Sequence, residues 1–128
     1  HRHINEVIVN VNKIVRPNLS IIDGRVWMEG IVDGPVKKLG VLICGEDPVS
    51  VDSVMARLVG YTPEKIKHIA LAERHGIGSM EAEIVGKSLE EFMINSRKPN
   101  PIVTFTGIYA PRALSRIAVK IYHRIKGY

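Results

Sequence analysis

Leu39-Gly-Val-Leu-Ile-Cys44, followed directly by Gly45-Glu-Asp47-Pro48-Val-Ser-Val-Asp52, is the stretch on which the fold turns. The first run is almost wholly apolar and too short for a typical helix. It suits a strand covered on both faces, as in a parallel sheet. Cys44, at its end, reads as a small buried hydrophobe. Asp47 is then placed to cap a helix, with Pro48 at the first helical position. Val49, Val51, Val54, Met55, Leu58 and Val59 give that helix one buried face, and Gly60 stops it. A strand feeding a helix in this way argues for an α/β fold.

Working outward, Ile4, Val7, Ile8, Val11, Ile14 and Val15 recur at helical spacing, and Pro17 ends the segment. A helix over 3–15 is expected. Residues 19–23 read as a strand running into an Asp23-Gly24 turn, and Glu29 to Lys38 as an irregular loop. On the other side, Thr62-Pro63 opens a helix over 63–75 that Gly76 closes. Residues 82–86 read as a short strand and 89–94 as a brief helical turn. The expected architecture is a partly parallel central sheet of 19–23, 39–44 and 82–86, flanked by helices. Because helical periodicity is under way from the first residues, the reading expects 1–95 to be the C-terminal part of a larger α/β domain.

Ser96-Arg-Lys-Pro-Asn-Pro101 reads as a linker, and 96–128 as linker plus tail. The tail holds the basic character. The chain of 128 residues has a net charge of +5, yet residues 1–96 balance at −2 while residues 97–128 carry seven cations and no acid. Over 111–126, Arg112, Arg116, Lys120 and Arg124 recur every fourth residue opposite an apolar stripe that includes Ile117 and Ile121. Such a helix fits its own domain, a second copy in a homo-oligomer, an anionic membrane surface or nucleic acid. Charge complementarity with the acidic body makes self-docking or oligomerisation more economical than nucleic-acid binding, while an anionic membrane surface suits the same helix. One cysteine excludes an iron–sulfur cluster or a disulfide framework within the chain. No apolar run approaches the roughly 20 residues of a membrane span, no secretory leader is visible, and a cytoplasmic protein is expected.

The chemistry is carried by acids near expected strand ends. Asp23, Glu29, Asp47 and Asp52 would gather in the crevice where ligands of open α/β sheets bind. Together they would hold a divalent metal through oxygen, or position a small polar ligand or substrate. Asp23 and Glu29 would be joined at such a ligand by Gly24 and Gly30, through close backbone approach, and by Lys38 for an anionic group. The plainer reading gives Asp47 a cap and Asp23 a turn. No histidine recurs at zinc-ligand spacing with cysteine.

Leu19-Ser-Ile-Ile-Asp-Gly-Arg-Val-Trp-Met-Glu-Gly30, followed by Lys38-Leu-Gly-Val-Leu-Ile-Cys-Gly-Glu-Asp-Pro-Val-Ser-Val-Asp52, resembles the family catalogued as domain of unknown function 362. The resemblance runs on through Arg57–Gly60, Pro63–Ile66 and Gly76–Gly78 to Gly86, roughly residues 1–91. It implies a longer domain that extends upstream. It also implies association with iron–sulfur modules, carried outside this chain. Asp23, Gly24, Met28, Glu29, Gly30, Asp47, Pro48 and Asp52 match the family's pattern. The expectation is a ligand- or divalent-metal-dependent domain of a larger redox-associated protein. The alternative is a non-catalytic binding or assembly module that docks through its basic tail.

Overall fold

The computed structural model describes residues 3–30 and 35–96, together with Ile117, Lys120, Ile121 and Arg124. Helix α1 spans Ile4–Ile14, strand β1 Ser20–Met28, strand β2 Val36–Gly45, helix α2 Pro48–Leu58 and helix α3 Lys67–Arg74. Single 3-10 turns occupy Pro63–Lys65 and Leu89–Glu91. Two compact units emerge. One comprises 1–27 with 38–96, the other 28–37 with 97–128.

The helices fall where periodicity and caps put them, with one break. The helix expected over 63–75 divides, because Ile66 has an extended backbone between the Pro63–Lys65 turn and α3. Both α2 and α3 stop at glycines in the left-handed region, Gly60 at φ 80° and Gly76 at φ 67°. The amides of Tyr61 and Ile77 then donate back to the carbonyls of Ala56 and Ala72, the Schellman closure that frees these helices from a ragged end. Val9 of α1, Val49 and Ala56 of α2, Ile69 and Ala72 of α3, and Met80 make the core. A Lys67–Glu6 ion pair at 2.9 Å links α3 to α1 at the surface.

The sheet departs from expectation. The described residues hold helices and a two-stranded antiparallel sheet of β1 and β2, not a partly parallel central sheet. The reason is length: residues 29–35 connect the strands, fewer than the dozen or so that a parallel crossover requires. Residues 82–86 form no strand. Asp23-Gly24 is not a turn but the middle of β1. A Cβ on Gly24 would stand 2.6 Å from Val41 Cγ2, so this glycine lets the two strands close on each other. Along β2 burial alternates: Leu39, Val41 and Ile43 turn inward while Leu42 and Cys44 are exposed. The expectation of a buried Cys44 fails because only one face of this sheet is covered.

Residues 96–128 lie outside the described residues apart from Ser96 and the four helical positions named above. Of the tail helix expected over 111–126, Ile117 and Ile121 are each 54% exposed, and Lys120 and Arg124 are exposed. Arg112 and Arg116 lie outside the described residues. Among the described residues, no helix is long and apolar enough to cross a membrane.

Candidate functional site

Each of the four expected carboxylates has a structural engagement of its own. Asp23 is exposed on β1 and clamped by Arg25, whose Nε and Nη2 donate to it at 2.7–3.0 Å. Those hydrogen bonds hold its carboxyl below the usual range. Glu29 is 3% exposed, its carboxylate 2.6 Å from Lys37 Nζ, and its amide donates to the Pro35 carbonyl. Asp47 caps α2 by accepting from the amides of Val49 at 2.8 Å and Ser50 at 3.3 Å. Its other oxygen accepts from the Ser79 amide at 2.7 Å. Asp52 lies on the rim of a small pocket of about 90 Å³ shared with His68, Asn12 and Val49. Burial raises its carboxyl, against a smaller opposing pull from His68.

Among the described residues, no group of three or more His, Cys, Asp and Glu stands at metal-binding distance. Of the residues expected at a small ligand, Gly30 has φ 81° with open space where a Cβ would be, and Lys38 is exposed at the start of β2.

Asp47 does more than cap. It draws the 78–81 loop onto the start of α2 so closely that a Cβ on Gly78 would lie 1.9 Å from Asp47 Oδ1. Ser50 Oγ adds to this knot, 2.7 Å from the Ser79 carbonyl and 3.2 Å from that of Glu81. Glu73 accepts from the Met80 amide and Arg57 donates to the Met80 carbonyl, so both core helices hold the loop. From this anchorage the chain runs on through Ala82-Glu-Ile-Val-Gly86. Further on, the Ile94 amide donates to the Leu58 carbonyl at 2.8 Å. The segment between is therefore held at both ends of α2.

That arrangement leaves an open groove of about 670 Å³. Its sides are Gly40–Gly45 of β2 and Glu81–Ser88, and its floor is Val51, Val54 and Leu58 of α2. Leu89 and Phe92 also line it. The volume falls in the range of ordinary ligand sites. Sequence reasoning missed this groove because it placed 82–86 in the sheet. The signal available was the same one, a strand-like segment with no assured neighbour.

Comparison with known proteins follows this geometry. Residues 1–57 match the family model described as Domain of unknown function (DUF362). That stretch is similar to the family, and the match covers less than half of the chain. It takes in α1, β1, β2 and most of α2, hence the β2 wall of the groove and part of its floor, while Glu81–Ser88 lies beyond it. The motif resemblance read from the sequence runs further, to about residue 91. Over 83 residues, 62% of the chain, the sequence is 31% identical to the thylakoid-associated protein sll1697 of Synechocystis sp. (strain ATCC 27184 / PCC 6803 / Kazusa). The chain spans about a quarter of the length of that curated relative, 25% of it being covered. No solved structure matches the chain.

Proposed function

We propose that this chain is a non-catalytic binding and assembly module, and that the groove beside β2 is where its partner docks. The observation that carries the reading is the groove itself: two walls that carry exposed apolar side chains, Leu42 on one and Ile84 and Val85 on the other, the second wall held at both ends of a core helix. Contiguous exposed apolar surface rimmed by polar groups is the usual mark of an interaction site. Leu42 at 69% and Val85 at 90% exposure are the most exposed of these wall side chains. The acidic reading, with Asp23, Glu29, Asp47 and Asp52 around a divalent cation or small polar substrate, gains no comparable support, since each carboxylate is engaged separately. Redox association enters only through the family resemblance.

Cys44 provides the test, being exposed, single and on the groove's edge. In cells that make the protein, its alkylation should be slower than in the purified chain. Ile84→Glu, a change on the exposed wall, should abolish that difference. Equal rates in cells and in isolation would overturn the reading. Calorimetric titration with divalent metals, repeated on Asp47→Asn and Asp52→Asn, tests the competing one.

A further inference from the structure

The lining of the groove has a chemical identity. Gly40–Gly45 meet it as an unbroken run. Side chains alternate between the faces of a strand, so a groove on one face would meet every second residue. An unbroken run means that the groove follows the edge of β2. Among the described residues that edge is unpaired: the sheet has two strands, and β1 occupies the other side. Alternate residues of β2 therefore turn N–H and C=O groups toward the groove. Across it, 82–87 make no backbone hydrogen bond among the described residues. Two stretches of main chain without a backbone partner among the described residues thus line the groove.

We infer that the groove receives an apolar β-strand from a partner polypeptide, bearing Lys or Arg at the end that meets Glu46 and Glu81. This rests on the binding-module reading and names the partner's chemistry. A strand serves both rows at once, main chain to main chain, while its apolar side chains cover the exposed Leu42, Ile84 and Val85. Charge sets its direction. Glu46, Asp47 and Glu81 lie together where Ser50 Oγ ties Asp47 to the Glu81 carbonyl, whereas Lys87 stands at the other end over the Phe92 ring. The charged devices that keep bare edges apart are confined to Lys37 and Lys38 at the start of β2, and Val41–Gly45 beside the groove carries no charge or Pro. A second copy of β2 is a poor occupant, because its own edge is flanked by its own Glu81–Ser88 wall.

The probe is a synthetic peptide, Lys-Val-Thr-Ile-Thr-Val, added to the 128-residue chain and followed by amide hydrogen exchange and Cys44 alkylation. Exchange should slow by about tenfold or more at alternate residues of Gly40–Gly45 and within 82–87 together. Ile84→Glu should abolish the effect while leaving α2 protection unchanged. A peptide with Pro in place of Ile should do nothing, and one with Glu in place of Lys should bind more weakly. Protection of neither wall, or equal protection by the proline peptide, overturns the inference. So does a purified chain that is already dimeric with both walls protected. If Cys44 is shielded in cells but the peptide protects neither wall, the docking reading stands and the strand falls. If Cys44 is not shielded in cells, the docking reading itself falls.

Discussion

Ser53 faces inward from α2 with no exposed surface, and its hydroxyl has no hydrogen-bond partner among the described residues. A buried polar group in that position carries its desolvation cost unrelieved. Ser53→Ala should therefore raise stability by about 1 kcal/mol, read as a higher urea midpoint at unchanged slope. Asp47 is the opposite case, with every oxygen engaged. Asp47→Ala removes a cap and the Ser79 contact together and should cost about 2 kcal/mol in the same assay. Asp52 gives a pH-dependent effect. Burial raises its folded pKa above the unfolded one, so the native state binds this proton more readily. Its contribution is most favourable below the ordinary carboxylate range and declines as pH rises through the raised folded value. Asp52→Asn should stabilise the chain at neutral pH, and the gain should vanish in acid. A gain that persists undiminished in acid would assign it to something other than ionisation.

Among the elements, the hairpin tells most about what a sequence can disclose. The helices were legible because apolar spacing, Asp47-Pro48 and the stopping glycines all agree on the same boundaries. Leu39–Cys44 was legible as a strand, but its neighbours were not. An apolar run states that side chains want cover without stating which face receives it, and here Leu42 and Cys44 remain outside. Asp23-Gly24 misled for a related reason: the pair that marks a turn also marks a crowded strand. Of the site, Asp47's capping role was readable and the groove was not, since its walls come from segments about 40 residues apart in sequence. The crowding at Gly24 can be measured. Gly24→Ala drives a Cβ into the stiff Val41 side chain and should cost about 1–3 kcal/mol, with partial rescue by Val41→Ala. Additive losses in the double variant would refute that account.

On the scale of the whole molecule, the helices share a core while the hairpin has only its two strands paired among the described residues, so local stability should differ between them. Native-state hydrogen exchange should find the slowest amides in α2 and faster, sub-global opening in β1 and β2. Uniform protection across all five elements would contradict this. The Asp47–Ser79 contact has a kinetic consequence as well. It joins residues 32 apart, so its formation waits for the intervening chain to close, whereas the cap contacts to Val49 and Ser50 are local. One carboxylate thus contributes to two stages of folding. Asp47→Ala should slow refolding through the lost cap and hasten unfolding through the lost Ser79 contact. Gly78→Ala drives a Cβ against the same Oδ1 that accepts the local cap bonds, so its effect should appear in both arms of the chevron.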